Sequence, residues 1–197
     1  MNLVIGILAV QGAFIEHEQM LDLLEVDHIQ IRNVDDLNQP IDGLILPGGE
    51  STAMIKILKE IGLFHPLRRQ IESGLPVLGT CAGLILLAKR LSNDQREGFQ
   101  TLDVVVQRNA YGRQLGSFNA IADFASIGLV PMTFIRAPLI VSAGSNVDVL
   151  AIVHGGIVAV RQANQIGLTF HPELTEDSRI HSFFLEIAAT YKTKKNG

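Results

Sequence analysis

The one cysteine of this 197-residue chain, Cys81, stands in Gly79-Thr80-Cys81-Ala82-Gly83, between an apolar run ending at Leu78 and a second one starting at Leu84. That order reads as a strand, a sharp turn and a helix. Glycines two residues to either side free the backbone for a strained turn that pushes a nucleophile out at the carboxyl end of a strand. The following helix adds free N–H groups and the positive end of its dipole, which stabilise a thiolate. The alternative is an inert thiol, since free cysteines are among the most buried residue types.

A proton partner is on offer in His171-Pro172-Glu173, directly after the apolar run Ile166–Phe170. In an extended segment, residues two apart share a side, so Glu173 can stand behind His171 while Pro172 stiffens the backbone between them. A carboxylate fixes the imidazole tautomer and leaves the other nitrogen to exchange a proton with a nucleophile. Taken alone, this pair reads more readily as a solvated His and Glu near a strand end; its pairing with the cysteine turn reverses that reading. Cysteine, histidine and carboxylate together perform acyl transfer through a covalent intermediate and a tetrahedral oxyanion that needs donors. The amide of Ala82, next after the nucleophile, is one donor. Gly49, in Pro47-Gly48-Gly49-Glu50, is a second, although two glycines there also suit an ordinary strand-to-helix turn.

The elements that must bring these residues together are legible in the apolar pattern. Leu3–Val10 reads as a buried strand; Phe14, His17, Met20, Leu21 and Leu24 recur at helical spacing; His28–Arg32 reads as a strand. Gly43–Leu46 and Pro76–Gly79 are further strands, and Ala53–Ile61, Phe64–Glu72 and Ala82–Leu91 further helices, with Ser51 or Thr52 as a cap. This alternation implies an α/β fold in three layers, flavodoxin-like, with a mostly parallel central sheet. After about Asn93 the texture turns to short strands at Leu102–Gln107, Ser117–Ile121, Thr133–Ile135, Val149–Val153, Ile157–Val160 and Ile166–Phe170. His154-Gly155-Gly156 signals a hairpin in this smaller antiparallel extension. Glu176–Tyr191 returns to helix, and Asp123–Met132 has no assigned conformation. Gln11-Gly12, Gly48-Gly49, Cys81 and His171 all follow strand ends, where open α/β sheets bind ligands.

Composition narrows the classes. With 47% hydrophobic and 18% charged residues, the chain can bury one large core, and residues 1–197 are expected to form a single domain with a loose tail at 193–197. A net charge of −4 without a basic block argues against nucleic acid. No apolar stretch approaches the ~20 residues that span a bilayer, and no cleavable leader is visible, so a soluble cytoplasmic protein is expected. One cysteine forms no internal disulfide, and the histidines lack metal-site spacing; neither metal nor cofactor is expected.

Gly79-Thr80-Cys81-Ala82-Gly83 with His171-Pro172-Glu173 resembles the class I glutamine amidotransferases, which hydrolyse the side-chain amide of glutamine and pass the ammonia to a partner. Leu8-Ala9-Val10-Gln11-Gly12-Ala13, Leu46–Thr52, Arg108-Asn109-Ala110-Tyr111-Gly112-Arg113-Gln114, Phe134-Ile135-Arg136-Ala137-Pro138 and Phe170–Asp177 resemble the glutaminase subunits of pyridoxal 5'-phosphate synthase. The likeness covers nearly the full chain. It implies Cys81 as nucleophile, His171 as base and then acid, and Glu173 as its orienter. It also implies a glutamine pocket lined by Gly49, Glu50, Ser51, Arg108, Ile135 and Arg136. Arginines suit the α-carboxylate of glutamine, although Arg108 and Arg136 are equally read as surface ion pairs. The implied partner is a barrel-fold synthase subunit, without which the glutaminase is poorly active; reorientation of the Gly49–Glu50 peptide on docking is a physical switch for this. The competing readings are a glutaminase serving another synthase, a cysteine peptidase or chaperone-like relative, and a non-catalytic regulatory subunit.

Overall fold

In a computed structural model describing residues 2–108 and 117–196, the apolar runs of the first half become β1 (Val4–Leu8), α1 (Phe14–Leu23), β2 (Asp27–Ile31), β3 (Gly43–Leu46), α2 (Ser51–Glu60), α3 (Phe64–Glu72), β4 (Val77–Thr80) and α4 (Ala82–Leu87). β1, β3 and β4 are buried almost throughout, as strands covered on both faces must be. The second half supplies β5 (Ala88–Leu91), β6 (Leu102–Gln107), β7 (Ser117–Phe124), β8 (Gly128–Ile135), β9 (Leu139–Ala143), β10 (Asp148–Val153), β11 (Gly156–Gln162), β12 (Gln165–Leu168) and α5 (Arg179–Asn196).

Among the described residues, ten strands make one sheet in the order β2-β1-β3-β4-β12-β11-β9-β6-β5, with β10 beside β11. From β2 to β12 the pairs are parallel; β12-β11, β11-β9 and β9-β6 are antiparallel. Neighbouring residues of a strand enter opposite cores: Leu44 and Leu46 pack with α2, α3 and α4, whereas Ile45 packs with α1, α5 and a separate β7-β8 hairpin. β4 and β12 sit side by side, so the carboxyl ends carrying Cys81 and His171 are neighbours.

Several elements differ from the sequence expectation, among them β9, which no expected strand covers. The helix after Cys81 ends at Leu87, because the returning chain takes over its last carbonyls: Phe99 N–H donates to Leu86 O (2.6 Å) and Thr101 N–H to Leu87 O (3.0 Å). Phe99 is fully buried against Phe64, and Ala88–Leu91 turns outward to pair with β6. The expected strands Ser117–Ile121 and Thr133–Ile135 are the outer ends of longer partners, with Asp123–Met132 forming the rest of the hairpin and its turn. α5 starts at Arg179, whose N–H is received by Asp177 Oδ1 at 3.0 Å, and continues as helix through Asn196. Among the described residues, no helix is long and apolar enough to cross a membrane.

Candidate active site

Cys81 holds φ +49° and ψ −98°, a conformation that side-chain-bearing residues rarely adopt. Its N–H donates to Leu168 O on β12 (2.8 Å), and its carbonyl receives the Ile85 N–H (3.2 Å), so the turn is tied to the sheet on one side and starts α4 on the other. The two flanking glycines have a packing reason. A Cβ on Gly83 would stand 2.0 Å from Leu46 O, and one on Gly79 would stand 2.8 Å from the Gly83 carbonyl carbon. α4 therefore seats directly on β3 and β4, its N-terminus under the thiol.

His171 is reached from the neighbouring strand and fixed by the hairpin, its N–H donating to Thr133 O of β8 at 2.8 Å. The extended geometry expected for His171-Pro172-Glu173 is replaced by a 3-10 turn over Pro172–Leu174. Proline suits its first position, where no N–H is needed. The turn folds Glu173 back under the ring, with Nδ1 to Oε1 at 2.7 Å, both residues buried. Burial resists a charge on His171, but hydrogen bonds to Cys81 and Glu173, and their charges, overcome it and push the imidazole up to about 10. Burial likewise resists ionisation of Glu173, yet His17 and His171 hold its carboxyl below the usual range. A protonated His171 beside Cys81 is placed to give its proton to a leaving group.

Behind Glu173 lies a pair that the sequence reading did not assign to the site. His17 Nε2 is 3.5 Å from Glu173 Oε2 and 3.3 Å from Thr80 Oγ1, and His17 Nδ1 is 2.9 Å from His181 Nε2. Both histidines are fully buried, and desolvation lowers the pKa of each. The signal was present for His17: it occupies the buried register of α1 among Met20 and Leu21, where a polar side chain requires a partner.

Gly48, Gly49, Glu50, Ser51, Cys81, Arg108, Ile135, Arg136 and His171 surround a cleft of about 560 Å³. Thus all the residues expected to bind substrate converge there. Ala82 is fully buried at the first position of α4 and offers only its backbone. Glu50, rather than Ser51 or Thr52, caps α2, accepting from Thr52 N–H (3.1 Å) and Ala53 N–H (2.7 Å). Partial burial works against its charge, but these amides and Arg108 keep the carboxyl below its ordinary range. The Glu50 N–H is held by Gln11 Oε1 at 2.8 Å.

The two arginines stand in different states. Arg108 binds Asp94, Glu50 Oε1 (3.0 Å) and Thr52 Oγ1 (3.1 Å), and with Arg96 it holds the Asp94 carboxyl far below its usual range. Arg136 follows the hairpin at φ +44°, exposed, with no hydrogen bond or ion pair among the described residues. Ile135 O lies 3.9 Å from Cys81 Sγ. The remainder of the Arg108–Gln114 motif, residues 109–114, lies outside the described residues. A larger cavity of about 650 Å³, beside Pro66 and Tyr191, contains no Cys, His, Asp or Glu in its described lining. Among the described residues no group of three or more such side chains is placed to hold a metal ion.

A thiol on a strained strand-to-helix turn, a His-carboxylate pair on the adjacent parallel strand and this sheet order define a class I glutamine amidotransferase-like protein. A glutamine amidotransferase crystal structure superposes with TM-score 0.89 at 40% identity, over 94% of this chain and 98% of that one. A Thermotoga maritima glutamine amidotransferase at 15% identity shares the fold, with TM-score 0.63 over 99% of this chain and 86% of that one. Residues 7–190 match the SNO glutamine amidotransferase family, and the chain belongs to it. It is 60% identical over 182 residues to pyridoxal 5'-phosphate synthase subunit PdxT of Desulfitobacterium hafniense (strain DSM 10664 / DCB-2), covering 92% of each chain. The subunit of the same name from Methanocorpusculum labreanum is 57% identical over 185 residues, 94% of this chain and 97% of that one.

Proposed function

We propose that this chain, as one domain over residues 1–197, is the glutaminase subunit of a pyridoxal 5'-phosphate synthase, supplying ammonia for vitamin B6 synthesis in the cytoplasm. The observation that carries the reading is the convergence of Cys81, His171 and Glu173 beside a cleft of about 560 Å³, in a chain of this family. Cys81 sulfur attacks the side-chain amide carbon of L-glutamine, forming a C–S bond. The resulting oxyanion is received by the backbone amides of Gly49 and Ala82. His171 donates a proton to the nitrogen, the C–N bond breaks, and ammonia leaves a thioester on Cys81. Water then gives a proton to His171 as its oxygen adds to the thioester carbon. The C–S bond breaks, L-glutamate departs and the sulfur is regenerated.

Arg136, lacking a protein partner among the described residues, pairs with the α-carboxylate, while Glu50 faces the α-ammonium and Ser51 and Ile135 complete the wall. Arg108, already engaged by Asp94 and Glu50, positions Glu50. The ammonia passes to a barrel-fold synthase subunit. Docking of that subunit activates the site through the Gly49–Glu50 peptide, now held by Gln11. The test is glutamate release from glutamine with and without the synthase subunit, in wild type and Cys81→Ala. Release that depends on both Cys81 and the partner is expected. Release that persists in Cys81→Ala overturns the catalytic reading, and equal release without partner overturns the switch.

A further inference from the structure

The second oxygen of Glu173 is the starting point. Oε1 is satisfied by His171, but Oε2 is buried and has no hydrogen bond among the described residues; His17 Nε2 stands 3.5 Å from it, while making a hydrogen bond of 3.3 Å with Thr80 Oγ1. An ionised carboxylate only accepts, and a lone pair on the nitrogen beside it would repel it, which favours the proton on His17 Nε2, with the Thr80 hydroxyl as acceptor. In a neutral His17, Nδ1 is then the acceptor, and the hydrogen bond of 2.9 Å to His181 must be donated by His181 Nε2–H. This leaves His181 Nδ1 as a bare lone pair, and that atom is indeed buried without a partner. One set of tautomers thus fits the contacts of His181, His17 and Thr80 and turns the His17 Nε2–H toward the unpartnered oxygen of Glu173.

We propose that His17 is a positioning residue for the glutaminase reaction: its Nε2–H holds the free oxygen of Glu173, and His181, by donating to His17 Nδ1, keeps that proton on Nε2. The inference rests on the Cys81-His171-Glu173 reading and extends it across the sheet edge into α1 and α5. Catalytic hydrogen bonds are often long in the empty enzyme and shorten in the reacting complex, so the 3.5 Å separation is the contact expected to tighten. The groups facing His17 are Glu173 on the 3-10 turn, His181 on α5 and Thr80 on β4, with Glu16 on its own helix and His171 beyond Glu173. Without His17, Glu173 is a buried carboxylate half-paired, His171 is held less firmly in its charged form, and Cys81 loses nucleophilicity.

The experiment uses the assembled synthase complex with glutamine as substrate, and iodoacetamide as a probe of sulfur reactivity across pH. Cys81 is the sole cysteine of this chain, so label on this subunit reads the nucleophile alone. His17→Leu is expected to lower kcat about 10- to 100-fold with little change in KM, and to slow alkylation at pH 7. His17→Gln keeps an N–H donor near the Nε2 position and is expected to recover most of both losses. His181→Leu, which frees the His17 tautomer, is expected to give a smaller loss of kcat with the same unchanged KM. Should His17→Leu fail to fold, His17→Gln and His181→Leu decide. Wild-type kcat and alkylation in His181→Leu, or no recovery in a folded His17→Gln, overturn the proposal. Full activity in Cys81→Ala overturns instead the reading on which it rests.

Discussion

Gly48 presses against the ring of His171: a Cβ built on Gly48 would stand 2.2 Å from His171 Cε1 and 2.8 Å from Nδ1. The glycine cannot retreat, because its carbonyl receives the Ala13 N–H at 2.9 Å and stands where Gly12 allows no side chain. The turn between β3 and α2 is thus one wall of the imidazole slot. Gly48→Ala is expected to tilt His171 off the sulfur and lower kcat for glutamine hydrolysis about 100-fold, the cost of a misplacement near 1 Å. Its thermal midpoint should change far less than its rate; a near-normal kcat would show that the ring has room to yield.

The charge on His171 gives a second prediction. Hydrogen bonds and charges from Cys81 and Glu173 favour its protonated form and raise it to about 10. Removing either partner removes a contribution that favours the cation, so the titration must move down. By NMR of the ring Cε1–H, Cys81→Ser or Cys81→Ala is expected to lower the His171 midpoint relative to wild type, and Glu173→Gln to lower it as well. A midpoint unmoved by Cys81→Ala would mean that sulfur and imidazole do not interact in the resting site.

Much of this arrangement was readable from residues alone, and the failures have physical causes. The β1, β3 and β4 strands and the turn at Cys81 were visible because buried parallel strands are short apolar runs closed by glycine. Glu173 was rightly paired with His171 for the wrong backbone: a 3-10 turn and an extended segment both bring these two residues together. The end of α4 at Leu87 was not readable, since Leu84–Leu91 continues apolar at helical spacing and the interruption comes from Phe99 and Thr101, residues further along the chain. His17 shares the helical spacing of the apolar face of α1, which marks it as buried and in need of a partner, but that partner, His181, lies 164 residues away and is not readable from spacing.

Arg136 and Arg108 should separate kinetically. On the pairing proposed above, Arg136→Ala removes a charged hydrogen bond to the α-carboxylate of glutamine, so KM is expected to rise about 10- to 100-fold with kcat changed little. Asp94→Asn leaves both arginines in place but releases Arg108 from one of its two carboxylates, and a smaller rise in KM is expected as Glu50 shifts. Steady-state kinetics of the complex distinguishes the two. The reverse order, with Asp94→Asn the more damaging, would transfer the substrate-binding role to Arg108.

The buried histidine pair should also limit stability in acid. Burial lowers His17 and His181 below the ordinary histidine value of 6.5, so the folded protein excludes protons that the unfolded chain binds once pH falls through that value. The sign follows: above the unfolded value both states are neutral at these sites and nothing is lost. Below it, the unfolded state gains protons first and folding weakens, by up to about 1.4 kcal/mol per pH unit for each proton. Urea midpoints are therefore expected to drop between pH 7 and pH 5.5 in wild type. In His181→Leu, one of the two sites is absent and the drop should be smaller, whatever the variant's stability at pH 7. An equal drop in both proteins would assign the acid sensitivity to other groups and would leave the neutral tautomer chain behind Glu173 without this thermodynamic signature.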